Sequence, residues 1–259
     1  MVSSFHRWRQ VREFAVKIAA YQAPLPGPDS SDSIALIRAQ ITRCEREGVD
    51  ILCCPEAILG GLADQSTHPH LIAVAADDLV SKLAPLASAT VTTIVGFTEL
   101  ANRGHLYNSA AVFHRGSILG VYRKLYPAIR RSVYQAGDEV PVFQVGALRF
   151  GIVICNDSNY AEPARRMATQ GATVLFVPTN NALASARGGA ELVDQARNVD
   201  IARAVENRLW VVRSDVAGRT GELTSYGSSE IVSRDGGVVH AARSLREDLL
   251  IVEIDPLIS

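Results

Sequence analysis

Three residues of this chain combine a reactive side chain with the end of an apolar run. Cys155 closes Arg149-Phe150-Gly151-Ile152-Val153-Ile154 and opens onto the polar turn Asn156-Asp157-Ser158-Asn159. Glu56 follows Val49-Asp50-Ile51-Leu52-Cys53-Cys54 through Pro55, and Lys124 follows the strand-like Ser117-Ile118-Leu119-Gly120-Val121-Tyr122. A thiol, a carboxylate and an ammonium, each at the end of a buried strand, suit one site built around a sulfur nucleophile.

A lone cysteine in an apolar strand is more often packing than chemistry, and Cys53 and Cys54 take that reading. Cys155 differs because the segment after it is polar and leads to a helix, whose N-terminal amides could lower a thiol pKa and donate to an oxyanion. A thiol nucleophile needs a base, usually histidine. His68-Pro69-His70 lies in a loop without a neighbouring Cys/Asp/Glu motif, and His6, His105, His114 and His240 are isolated. The base is then a carboxylate, and Glu56 is placed for it.

The elements that must hold these residues alternate between the two secondary-structure periods. Residues 14–20 read as a first strand, and the Pro/Gly/Asp/Ser cluster from Pro24 to Asp32 as a loop ending in a helix cap. Ile34, Leu36, Ile37, Ile41 and Cys44 recur at helical spacing up to Gly48, completing a βαβ unit with the Glu56 strand. A second helix over 77–89 and a β-branched strand over 90–97 follow. Residues 106–113 and 118–122 then form a hairpin, as do 142–145 and 148–154. Beyond Cys155 come a helix over 163–170, a strand over 173–177, a helix over 191–207 and a strand over 209–213. Short strands over 229–232 and 249–254 end the series. Helices and hairpins interrupting one series of strands predict an α/β sandwich of mixed sheets.

With 259 residues, 47% hydrophobic and 20% charged, the chain can bury a large core without a disulfide or metal, and no linker or low-complexity tract divides it. One domain over 1–259 is expected, with residues 1–13, basic at their centre, as an N-terminal extension. The net charge of −1 gives no electrostatic case for nucleic acid or an anionic membrane. Four cysteines, two of them adjacent in an apolar strand, point to a reducing compartment, with cytoplasm as the expectation.

The order Pro55-Glu56, Tyr122-Arg123-Lys124 and Cys155-Asn156-Asp157, followed by Glu162 and Arg165, resembles the nitrilase superfamily of carbon-nitrogen hydrolases. Tyr107-Asn108-Ser109-Ala110, Gly137-Asp138, Gly171-Ala172 before Pro178, residues 203–207, Gly227-Ser228-Ser229 and Asp235-Gly236 match further landmarks, from about Val16 to Asp255. The resemblance implies a four-layer α-β-β-α sandwich and a Glu-Lys-Cys triad at Glu56, Lys124 and Cys155. It implies a small amide or N-carbamoyl substrate, a thioester intermediate, no cofactor, no metal and a homo-oligomer. It places oxyanion stabilisation on Lys124 and the backbone N–H of Asn156. Nitrile hydrolysis and a non-catalytic binding protein on the same fold are the alternatives.

The chain departs from that pattern in two places. Relatives carry a second glutamate between the lysine and the Gly-Asp landmark, whereas residues 128–136 contain none and Arg130 occupies its place. A guanidinium facing the pocket would hold a substrate carboxylate, making Arg130 a candidate substrate-binding residue. N-carbamoyl-D-amino acid hydrolases, which share Cys-Asn-Asp, follow it with two arginines; this chain has Ser158 and Asn159.

Overall fold

A computed structural model describes residues 15–26, 33–128, 131–184 and 189–256; the N-terminal extension expected over 1–13 lies outside them, as does most of the first loop. Strand β1 (Val16–Pro24) precedes helix α1 (Ser33–Glu47), which buries Ile37, Ile41 and Cys44 and returns the chain to β2 (Ile51–Cys53), parallel to β1. Strand β3 (Val74–Ala75), helix α2 (Ala76–Leu83) and β4 (Thr92–Leu100) follow. Helix α2 is shorter than the 77–89 segment suggested, giving way to a 3₁₀ turn over Ala84–Leu86. Pro85 cannot supply the N–H that would continue the α-helix.

Strands β5 (Leu106–His114) and β6 (Ser117–Arg123) form the expected hairpin, turning at Arg115 and Gly116, whose φ angles are +49° and +80°. Positive φ at both positions matches the right-handed twist of the flanking strands. A second hairpin pairs β7 (Val142–Val145) with β8 (Leu148–Ile152), and α3 (Ala161–Thr169) leads to β9 (Val174–Pro178). Then come β10 (Leu183–Ala184), α4 (Glu191–Asn207), β11 (Trp210–Ser214), β12 (Val216–Thr220), β13 (Leu223–Ser225), β14 (Glu230–Val232), β15 (Val238–Ala241) and β16 (Asp248–Ile254).

Among the described residues these strands form two mixed sheets. The ten-stranded sheet runs β10-β13-β12-β1-β2-β4-β5-β6, with β16 also on β1 and β3 on β4. The six-stranded sheet runs β15-β14-β11-β9-β8-β7. Alternation along the strands creates the layers. Ile18, Ala20, Ile51, Cys53 and Ile94 join Phe150, Ile152 and Phe176 in the core between the sheets. Ala19, Tyr21, Leu52, Val95 and Phe97 pack on Ile37 and Ile41 of α1 and Leu79 and Leu83 of α2. Met167 of α3 and Ala204 of α4 cover the other sheet. The result is the expected four-layer α-β-β-α sandwich. Strands buried on both faces read as continuous apolar runs, which is why the sequence marks them well.

Strands β3, β10, β12, β13 and β15 were not foreseen. They are short, and β12 and β13 carry Gly218, Arg219, Thr220, Thr224 and Ser225. Pairing with β1 and with each other defines them, rather than a local apolar pattern. No helix among the described residues is long and apolar enough to cross a membrane.

Candidate active site

Glu56 follows β2 on a tight turn in which Ala57 has φ +47°, and its side chain is 2% exposed. Gly96 of β4 makes room for this turn. A Cβ there would lie 2.5 Å from both the Ala57 nitrogen and the Pro55 carbonyl oxygen. Both are backbone atoms and cannot swing away, so Gly96→Ala must displace the turn. We expect a stability loss of about 1–3 kcal/mol and a fall in kcat/KM of roughly 10²-fold from misplacing Glu56. Calorimetry and turnover of the small amide or N-carbamoyl substrate that the family resemblance implies would read the two effects, and unchanged kcat/KM would show that Glu56 tolerates the shift.

The Glu56 carboxylate meets three donors. Oε1 accepts from Lys124 Nζ at 2.6 Å and Asn108 Nδ2 at 2.7 Å, and Oε2 accepts from the Asn180 N–H at 2.9 Å. Lys124, just past β6, is pinned through its backbone: its N–H donates to the Asn108 carbonyl and its carbonyl accepts from Gly137 N–H, both at 2.8 Å. Burial opposes the charge of Lys124, but the Glu56 carboxylate outweighs it and leaves the ammonium with a raised pKa. A raised lysine pKa contributes stability that is complete below the ordinary lysine value and is lost only as pH climbs through the raised one. Lys124 therefore stays charged across the neutral range.

Cys155 begins a 3₁₀ turn, Cys155–Asn159, with φ +46°, a left-handed conformation that non-glycine residues rarely adopt. Asp157 holds the turn from beneath, accepting from Tyr122 Oη at 2.7 Å, Tyr126 N–H at 2.7 Å and Ile154 N–H at 3.0 Å. Ser158 holds it from the other side, donating to the Cys155 carbonyl at 2.8 Å and accepting from Arg213 at 3.1 Å. Arg213, itself buried, is anchored on Asp200 by two hydrogen bonds of 2.6 Å. These contacts over-determine a strained backbone at Cys155.

Glu56 and Lys124 both lie close enough to Cys155 for their charges to act on the thiol. Burial, then the Glu56 charge, push it up to about 12, against the opposing pull of Lys124 and Arg213. This reverses the expectation that helix amides would lower it. A short 3₁₀ turn separates the sulfur from α3, and desolvation outweighs the cations. Cys155 therefore rests as a thiol, and attack by its sulfur would need a base.

The sequence profile of the carbon-nitrogen hydrolase family matches residues 17–258. The chain belongs to the carbon-nitrogen hydrolase family. It is 30% identical over 247 residues to a hydrolase encoded in the pqqF 5′ region of Pseudomonas protegens, covering 93% of this chain and 83% of that protein. It is also 30% identical over 247 residues to N-carbamoylputrescine amidase of Solanum tuberosum, covering 88% and 82% respectively. A nitrilase-superfamily structure from Saccharomyces cerevisiae shares the fold with a TM-score of 0.81 and 22% identity, covering 93% of this chain and 90% of that one.

Around Glu56, Lys124 and Cys155, this carbon-nitrogen hydrolase places residues to which sequence reasoning gave no such role. Asn108, Asn180, Asn181, Arg213 and Asp215 hold the reactive side chains or their partners. Asn108 lay within a family landmark, but nothing local marked the others, whose roles arise where separate strands meet. The Asn156 side chain donates to the Tyr126 carbonyl at 3.0 Å and accepts from Asn159 at 2.9 Å, so an oxyanion role falls to its backbone N–H. Glu162 pairs with Arg166 on the exposed face of α3. Arg130 lies outside the described residues.

A cavity of about 260 Å³, lined in part by Leu25, Leu62, Gln65, Asn180 and Leu223, opens beside the residue whose N–H holds Glu56. A second cleft of about 620 Å³, lined by Leu59, Leu71, Ile72, Val74 and Lys82 among others, includes none of the triad. The smaller space is not lined by Glu56, Lys124 or Cys155 either, and reaches them only through Asn180, whose N–H holds Glu56.

Proposed function

We propose that this carbon-nitrogen hydrolase cleaves a small amide or N-carbamoyl compound at Cys155 through a covalent thioester or thiocarbamate. The supporting observation is the buried Glu56–Lys124 pair acting on a thiol held at a strained strand end. Glu56 takes the thiol proton as sulfur attacks the carbonyl carbon. Lys124 and the Asn156 N–H stabilise the tetrahedral oxyanion, a contribution of about 3–4 kcal/mol per well-placed donor in comparable sites. Glu56 returns the proton to the departing nitrogen, and ammonia or an amine leaves. Water deprotonated by Glu56 then attacks the acyl carbon, the carbon–sulfur bond breaks, the acid is released and Glu56 returns the proton to sulfur, restoring the thiol.

Primary amides and ureido compounds both present the required carbonyl carbon and leaving nitrogen. The identity to N-carbamoylputrescine amidase supports including the ureido class, and the 260 Å³ cavity suits a small molecule. A substrate panel scored for ammonia, with acid-quenched mass spectrometry during turnover, tests the reading. The expected result is ammonia release together with an acyl or carbamoyl adduct mapped to Cys155. Turnover with an adduct at another residue would overturn it, as would no ammonia, amine or adduct across both classes.

A further inference from the structure

The S–H of Cys155 points to Asn181: its sulfur lies 3.8 Å from Asn181 Oδ1. A thiol is a weak donor, so this bond sets the direction of the proton more than the energy of the fold. The orientation of the Asn181 amide then decides whether the sulfur meets a carbonyl or an N–H.

Asp215 imposes that orientation. Asn181 Nδ2 donates to Asp215 Oδ2 at 3.2 Å and to Ser228 Oγ at 3.1 Å, and the Asn181 backbone N–H donates to Asp215 Oδ1 at 3.0 Å. Asp215 is fully buried and also accepts from Val216 N–H at 2.8 Å, Ser228 N–H at 3.0 Å and Ser228 Oγ at 2.7 Å. Burial raises the Asp215 carboxyl, but the five donors that converge on its two oxygens leave no place for an acid proton, so it acts as an acceptor only and turning the amide over would set oxygen against oxygen. The carbonyl must therefore face Cys155, where it accepts from S–H and disfavours S⁻.

We propose that Asn181 holds the nucleophile in its thiol form until substrate enters, and that Asp215 is the positioning residue that locks the amide. The inference rests on Cys155 being the nucleophile. Exchange of the acceptor completes the device: a substrate N–H can take Asn181 Oδ1 as the thiol proton passes to Glu56. No bond to Asn181 forms or breaks in that step.

Four charged groups act on the sulfur besides this lock. Glu56 and Asp215 favour the thiol, and Lys124 and Arg213 favour the thiolate. Because Asp215→Asn removes a charge as well as the lock, the test needs a second background. Carbamidomethylation of Cys155 by iodoacetamide, mapped by peptide mass against pH in the full chain, reads the thiolate fraction, and the other cysteines are buried. Asp215→Asn lets the amide turn Nδ2 toward sulfur and should lower the alkylation midpoint by about one pH unit. Asn181→Ala should also lower it. In the Asn181→Ala background, Asp215→Asn should produce a clearly smaller shift, since only its charge remains to act.

Equal Asp215→Asn shifts in both backgrounds would overturn the lock, as would an unchanged midpoint in Asn181→Ala. If Asp215→Asn does not fold, the Asn181→Ala midpoint decides alone. A parent protein whose Cys155 resists alkylation at every pH would instead remove the nucleophile assignment, and the inference with it.

Discussion

Cys155→Ala is expected to end ammonia release, a fall of about 10⁵-fold or more by comparison with other covalent hydrolases stripped of their nucleophile. Its melting temperature should stay close to that of the parent. Alanine keeps the Cβ, and with it the same backbone strain at φ +46°. The turn is held by Asp157 and Ser158, whose hydrogen bonds do not involve the sulfur. The only side-chain bond lost is the weak one to Asn181. Activity and stability should therefore separate cleanly, as an ammonia assay and differential scanning calorimetry would show. Turnover above about one per cent of the parent would assign the nucleophile elsewhere.

Lys124→Met should damage both properties. The Lys124 and Glu56 side chains are 5% and 2% exposed and meet at 2.6 Å. Removing the cation leaves a buried carboxylate with only the neutral donors Asn108 and Asn180, and breaking such a pair from one side costs about 3–5 kcal/mol. Loss of an oxyanion donor should lower kcat by a further 10²–10³-fold or so in molecules that remain folded. Urea titration gives the first number, and kcat normalised to active sites titrated by the acyl adduct gives the second. A destabilised variant with full kcat would make Lys124 a structural counter-ion alone.

These expectations differ from that for Gly96→Ala because they act on different parts of one constellation. In the proposed mechanism Cys155 supplies the electrons and Lys124 the field, whereas Gly96 supplies only space for the turn that aims Glu56. Removing the nucleophile should therefore cost most in rate, and removing the buried cation most in stability.

The strand ends carrying Glu56 and Cys155 were legible because sandwich strands buried on both faces are continuous apolar runs, and a reactive residue at the end of one stands out; β6, which carries Lys124 and was expected to be buried, is instead a half-exposed edge strand with Leu119 facing outward. Helices α1 and α4 were equally plain, the former through Ile37, Ile41 and Cys44 at helical spacing. The short strands β10, β12 and β13 were not. Polar residues such as Arg219, Thr220 and Thr224 enter strands there because partners in the ten-stranded sheet take up their backbone hydrogen bonds.

By itself the sequence determined the family, the order of the main elements and the three side chains whose chemistry is complementary, since these depend on residue type, spacing and local burial pattern. The tertiary structure alone decided the state in which those side chains rest. A thiol expected to be acidified by helix amides is instead raised by burial, and Glu56 is held by donors 52 and 124 positions away, one on β5 and one just past β9. Asn181, aimed by Asp215 across 34 residues, faces the sulfur with its carbonyl. Desolvation and hydrogen-bond direction are properties of surroundings assembled from distant segments, and no local stretch of sequence carries them.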